Sequence, residues 1–352
     1  MAMVDAVLAP IRRLSARLNI DALIFGILCA VIVAVVAPAR GDFVPILDWM
    51  VKIAIALLFF LYGGRMHPRE ALNGLKHWRL HLTILAFTFV VFPLIGLALW
   101  PIAPHIIGEH LYTGVLYMCL IPSTVQSSIA FTSIARGNVA GAIVSASASN
   151  LLGVFLTPVL AIALISGAGQ VHITGSAIAD IAVQLLVPFI LGQLLRGVKL
   201  RPGGSTYAEF LQRNAKPSKL VDRGSIILVV YSAFSAGMRE HIWSQVQWWQ
   251  ILVLVAGAIA LVLFMLWLTR RTAQVLGFSR EDSIAIQFCG TKKSLATGLP
   301  MATVMFAGQP IGLIVLPLMI FHQVQLMICA ALASRYDREY RAAHPDEVAA
   351  AG

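Results

Sequence analysis

Charge is what this chain has least of: Asp, Glu, Lys and Arg make up 12% of its 352 residues, while 59% are hydrophobic. Soluble domains carry about a quarter charged residues, so the composition excludes an ordinary water-soluble fold and makes the bilayer the expected solvent. Acids are scarcer than bases, 16 against 26, which leaves a net charge of +10. The bases sit in short clusters between apolar stretches, as in loops beside anionic lipid, so no nucleic-acid partner is expected. Cysteines number four, Cys29, Cys119, Cys289 and Cys329, each inside an apolar run and none in a C-x-x-C or Cys/His pattern; they read as buried small residues, not metal ligands or disulfides. No H-E-x-x-H and no Ser/His/Asp set occurs, so neither an enzyme nor a cofactor is expected. Gly290-Thr291-Lys292-Lys293-Ser294 lacks the Gly-x4-Gly-Lys-Ser/Thr spacing of a phosphate loop.

What is present is a series of long apolar runs. A spanning helix needs about 20 mostly apolar residues, and windows bounded by charge, Gly and Pro predict ten. They fall near 20–38, 46–64, 80–101, 111–134 and 138–166, then 174–195, 223–238, 247–269, 281–306 and 310–334. Arg12, Arg13 and Arg17 before the Leu18 to Val36 stretch give a signal-peptide look, but the stretch exceeds an h-region of about 7–15 residues and is kept as a span. With the N-terminus inside, 21 of the 26 basic residues fall in inner segments; Arg40, Lys52 and Arg239 lie outside, and Lys292 and Lys293 within the ninth span. This positive-inside asymmetry predicts an inner-membrane protein with both termini cytoplasmic. The longest connection, about 196–222, contains Pro202-Gly203-Gly204 and, from Thr206 to Ala215, a pattern suited to an interfacial helix.

Spans four and nine resemble each other. Cys119 to Ser127 can be laid against Phe288 to Ser294, matching Thr124 to Thr291 and Ser127 to Ser294, and each span is followed by a polar turn, Gly137-Asn138 or Gly308-Gln309. Trp78 opens span three as Trp248 and Trp249 open span eight. Five spans repeated after an odd number enter the membrane from opposite sides, so residues 1–167 and 168–352 form an expected inverted repeat. Pro122 lacks an N–H and Gly290 frees the backbone, so both helices can unwind near the midplane and leave orphan peptide groups. Such groups are tolerated only around a protein-lined, water-accessible cavity. Ser123, Thr124, Gln126, Ser127, Ser128, Gln287, Thr291 and Ser294 would supply further ligands.

Lys292 and Lys293 are the least expected residues, since each Lys at a helix centre costs about 2.5–3.5 kcal/mol on insertion scales. At least one should point into the cavity, to bind an anion or to load and release a proton. Among other intramembrane polar groups, Asp180 reads as a counter-charge or an outer-leaflet residue, and Asp48 and Lys52, spaced i, i+4, as a pair. On span five, Asn138, Ala142, Ser145 and Ser149 share a face, with Ser147 and Asn150 beside it; they permit close packing or line the site. His322 and Gln323 interrupt span ten, where the His is a proton carrier or a hydrogen-bonded core residue.

Ala135-Arg136-Gly137-Asn138-Val139-Ala140 after a Pro-containing broken helix resembles the bile acid:sodium symporter superfamily, solute carrier family 10. Pro122 to Ser128, Phe288 to Leu295 with Gly298 and Pro300, and Phe306-Ala307-Gly308 resemble its member-7-like branch, here as a bacterial form. The resemblance covers nearly the whole chain and implies an all-α membrane fold. It has ten helices in two inverted five-helix repeats, a panel (spans one, two, six, seven) and a core (three to five, eight to ten), with discontinuous helices four and nine crossing. It also implies a secondary transporter of a small organic anion, with sodium or a proton as candidate coupling ion. In sodium-coupled relatives a Ser-Asn pair follows the span-four break, where this chain has Ser127-Ser128. Two hydroxyl positions on span five are here Ala142 and Ala146, and the span-nine Glu has no counterpart beside Gln287-Phe288-Cys289. A lysine ammonium is therefore expected to replace the ion. The alternative reading is a non-transporting membrane regulator of calcium homeostasis, to which eukaryotic members of the branch are linked.

Overall fold

The structure, a computed structural model, describes residues 22–65, 77–166, 182–199, 205–239 and 246–343. The arginines expected before the first span, Arg69, Lys76, Asp180 and Pro202-Gly203-Gly204 lie outside the described residues. The described chain folds almost wholly into helices, as a hydrocarbon solvent demands, because a helix pairs its own peptide groups. In chain order these are α1 Ala22–Val36, α2 Phe43–Arg65, α3 Trp78–Ala98, α4 Ala103–Ile107, α5 Glu109–Leu120, α6 Gln126–Ile134 and α7 Val139–Ala161. There follow α8 Ala182–Leu195, α9 Tyr207–Arg213, α10 Ala215–Arg239, α11 Trp248–Val275, α12 Arg280–Gly290, α13 Leu295–Met305 and α14 Ile311–Ala343. Six of them, α2, α3, α7, α10, α11 and α14, are long and apolar enough to cross a membrane, and α1 and α8 are shorter apolar helices. The expected spans four and nine are each interrupted, between α5 and α6 and between α12 and α13.

Three expectations are corrected. Within the stretch 196–222 the helix expected from Thr206 to Ala215 is present as α9, but the next span starts earlier than 223, since the first turns of α10 occupy 215–222. Thr206 and Glu209 form a capping box that starts α9, and Pro217 sits in the first turn of α10, where a missing N–H costs nothing. Lys216, Lys219, Asp222 and Arg223 hid those turns from a hydropathy window. For the same reason α11 and α14 run on to Val275 and Ala343, beyond 269 and 334. Asp48 and Lys52 form no ion pair; the Lys52 ammonium lies over the Trp49 ring, 5.3 Å from its centroid.

Two groups of helices emerge from the packing. In one, α2 lies along α8 and α10, and α10 along α1; in the other, α5 and α11 lie on α14, α12 lies on α11, and α7 contacts α6 and α12. They meet where α10 touches α13 and α14. The tightest approach is α2 on α8, where small residues allow backbones to touch. A Cβ on Gly63 would stand 2.1 Å from the Phe189 carbonyl oxygen, and one on Gly192 2.1 Å from that of Phe60. Ordinary overpacking costs about 1–3 kcal/mol; here backbone meets backbone and no side chain can yield. Gly192→Ala is therefore expected to abolish monodisperse protein on size exclusion or to lower its melting temperature steeply, whereas Gly197→Ala, which meets nothing within 4 Å, leaves both near wild type.

Candidate functional site

The first interruption follows from two prolines. In α3 a π-helical turn spans Phe87–Val91, and the Phe92 N–H bonds the Phe87 carbonyl. The Thr88 carbonyl thus loses its usual donor, and the residue after Phe92 is Pro93, which has none. In α5 the Cys119 carbonyl is orphaned in the same way: Pro122 cannot donate, and the Ser123 N–H turns to Ser149 Oγ at 3.1 Å. An unpaired buried carbonyl costs about 1–3 kcal/mol. Lys293 supplies the missing donors, its Nζ standing 2.9 Å from the Thr88 carbonyl and 2.8 Å from those of Cys119 and Ile121, 4.2 Å from the Phe92 ring centroid. Lys292 donates to the Ser127 carbonyl at 2.8 Å and lies 3.7 Å from the Phe131 ring centroid. Both lysines are fully buried.

The two interruptions close on one another. Ser123 Oγ donates to the Cys289 carbonyl at 2.7 Å, Ser128 Oγ to that of Phe288 at 3.3 Å, and the Ser294 N–H to that of Pro122 at 2.9 Å. Gln325 clamps the second break, accepting from the Lys293 N–H at 2.9 Å and donating to its carbonyl at 2.8 Å. Asn150 joins both: its Nδ2 donates to the Ser123 carbonyl at 2.6 Å, and its Oδ1 accepts from Thr297 at 2.9 Å. Pro122 packs so closely on α7 that a Cβ on Gly153 would stand 2.7 Å from its ring.

After each break two hydroxyls sit at i, i+3 where the next half-helix starts, Thr124 with Ser127 at 2.8 Å and Ser294 with Thr297 at 3.0 Å. The structural correspondence is therefore Thr124 to Ser294 and Ser127 to Thr297, which corrects the register of the sequence match by three residues. The helix ends Leu120 and Gly290 align on the same shift. All four hydroxyl residues line a cavity of about 630 Å³, with Gln126, Ser147, Asn150 and His322. That volume suits a small organic molecule, and the wall mixes these polar groups with Val125, Phe131, Ile134, Ile226 and Leu326.

The predicted residues thus separate into three sets. Thr124, Gln126, Ser127, Ser294 and His322 line the cavity. Pro122, Ser123, Ser128, Ser149, Lys292 and Lys293 hold the crossing together behind it. Asn138, Ser145, Gln287, Gly290 and Thr291 are elsewhere. Asn138 donates to Asp282 at 2.7 Å, Ser145 lies 2.6 Å from His81, and Gln287 bonds the Leu266 carbonyl and the Tyr336 hydroxyl. Gly290 and Thr291 approach Thr269. The expectation that a lysine points into the cavity is corrected: freed carbonyls are stronger partners for an ammonium in hydrocarbon than an open wall is. A ring of carbonyls could suit a cation, but Lys293 fills this one and, among the described residues, no carboxylate touches it, so the residues do not fit a sodium ion there. Sequence reasoning missed Tyr62, Arg65, Lys219, Asp222 and Arg223, which also line the cavity. The signal was available in the i, i+3, i+4, i+7 spacing from Lys219 to Ile226, had that stretch been read as helix.

A family model for the SBF-like CPA transporter family matches residues 21–338. The Pseudomonas aeruginosa protein PA2026 is 48% identical over 90% of this chain and 93% of its own length. YfeH of Escherichia coli is 44% identical over 91% and 94% respectively. The rat protein named sodium/bile acid cotransporter 7 is 30% identical over 80% and 81%.

Because Lys293 satisfies three carbonyls and Lys292 one, Lys293→Met is expected to cost roughly 3–5 kcal/mol and Lys292→Met less. Thermal unfolding of the purified protein in detergent checks this; equal losses would contradict the assignment.

Proposed function

The chain belongs to the SBF-like CPA transporter family, and from that premise we propose that it is a secondary active transporter of a small organic anion, working by alternating access without sodium coupling. It sits in the bacterial inner membrane with both termini cytoplasmic. Six long spans, the shorter α1 and α8, and the two interrupted pairs make up ten spans in two inverted halves. The matched hydroxyl pairs after each break support that symmetry. The group of α1, α2, α8 and α10 and the group carrying the two breaks correspond to panel and core, and their relative motion would expose the cavity to alternate sides. Arg65 ends α2 and Lys219 begins α10 on the side where basic residues gather, so the cavity as described opens inward.

One observation carries the coupling claim: the covalently tethered amine of Lys293 occupies three backbone carbonyls at the crossing. A bound ion at that point would arrive and leave with each cycle, whereas the side chain stays in the protein. In proteoliposomes, uptake of a labelled organic anion is expected to saturate and to be unchanged when N-methylglucamine replaces sodium. Lys293→Ala, which leaves the carbonyls bare, is expected to melt lower and to be stabilised selectively by sodium. Uptake that rises steeply with external sodium and survives both Lys292→Ala and Lys293→Ala sinks the proposal, and an absence of any saturable flux favours the regulator reading.

A further inference from the structure

The cavity has a second, charged end that the crossing does not use. Where α2 terminates and α10 begins, its wall carries Arg65, Lys219, Asp222 and Arg223, three cations against the single acid among the described lining residues. On α10 the residues Lys219, Asp222, Arg223 and Ile226 recur at i, i+3, i+4 and i+7, which puts them on one helix face, turned to the cavity. Arg65 and Asp222 meet as a fork: Nη1 stands 2.7 Å from Oδ2 and Nη2 2.8 Å from Oδ1, with the side chains 24% and 14% exposed. The Arg65 Nε–H donates to the Leu61 carbonyl at 3.2 Å, so the guanidinium plane is held in place. A guanidinium fork fits the two oxygens of a carboxylate, and Asp222 presents such a pair from within the chain. The apolar face of Phe131 and Ile226 borders the same space.

We propose that this end is the anion subsite. The oxyanion of an amphipathic organic molecule binds Arg65, Lys219 and Arg223 by displacing Asp222 from the Arg65 fork, while its apolar body lies against Phe131 and Ile226. The inference rests on the transporter reading but shifts anion recognition from Lys292 and Lys293, whose ammoniums are bound to carbonyls, to the other end of the cavity. Asp222 acts as an internal competitor that closes the fork when no substrate is bound. It also sets selectivity, because a neutral molecule has nothing with which to displace it.

The test uses the full-length protein in phosphatidylcholine nanodiscs and a panel of aryl and alicyclic carboxylates and sulfonates, each beside its neutral carboxamide or sulfonamide. Binding is read by thermal shift and calorimetry. Some charged members are expected to bind and their neutral partners not. Lys219→Gln and Arg223→Gln should each weaken the charged binders about tenfold, the effect of losing one charge-assisted contact. Asp222→Asn should tighten them about tenfold, and adding Arg65→Gln to it should reverse that gain; this double variant removes both members of the ion pair, so it tests the fork without leaving the part-buried Asp222 carboxylate stripped of its guanidinium, as Arg65→Gln alone does. Arg335→Gln, on the exposed surface, controls for net charge. Affinity unchanged by Asp222→Asn, equal binding of neutral partners, or no charged binder in the panel overturns the subsite. So does a variant-sensitive shift caused only by phosphatidylglycerol, which would assign the fork to a lipid headgroup. Neutral binders that show saturable flux would overturn the subsite yet leave a transporter; charged binders that respond to the variants but show no flux would overturn transport yet leave the subsite.

Discussion

In hydrocarbon a peptide carbonyl without a donor has no water to turn to, and the two prolines at the heart of this protein create two such carbonyls. Pro93 deprives the Thr88 carbonyl of a donor, and Pro122 deprives that of Cys119. Lys293 resolves both from the break between α12 and α13, reaching α3 and α5 with one ammonium. Its own charge is made tolerable by the same contacts, since three oxygens and the Phe92 face replace its hydration. Each defect would be costly alone; together they fix where α3, the end of α5 and the start of α13 must meet.

From that constraint the rest of the site follows. With the carbonyls of the breaks taken by Lys293, Ser123, Ser128 and Asn150, the polar side chains that line the cavity beside them are the hydroxyl pairs at the starts of α6 and α13, Gln126 and His322. These are hydrogen-bonding groups. The charged lining residues, Arg65 at the end of α2 and Lys219, Asp222 and Arg223 on α10, gather at the far end of the cavity. Under the proposed anion subsite, a cavity with uncharged hydroxyls beside the breaks, an apolar side and a cationic far end would favour elongated amphipathic anions over small inorganic ones, whose size cannot span it.

The division into two helix groups bears on motion. The breaks are cross-linked by many short hydrogen bonds, whereas the boundary with α1, α2, α8 and α10 is crossed chiefly by α10 against α13 and α14. The backbone contacts of Gly63 and Gly192 make α2 and α8 equally inseparable. In the proposed cycle the compliant surface is therefore the one that the cavity lies in.

The membrane class, the interruption of two helices and the special standing of the lysine pair were legible from composition, apolar run length and the misfit of Lys and Pro within those runs, because the bilayer constrains each residue independently of its neighbours in space. The register of the two breaks was not: Thr124 pairs structurally with Ser294, which only the ends of the helices reveal. Nor could the sequence say which way a lysine points. Thr88, Cys119 and Ile121 are remote from Lys293 along the chain, and it is their carbonyls, not the side chains that a sequence displays, that hold it. Arg65 and Asp222 likewise stood in segments read as loops, and only the folding of Ala215–Arg239 as one helix brought their charges to a common cavity wall. The sequence by itself determined that polar groups in this membrane protein needed partners; the tertiary structure decided which partners, because backbone oxygens become available only where helices unwind and meet.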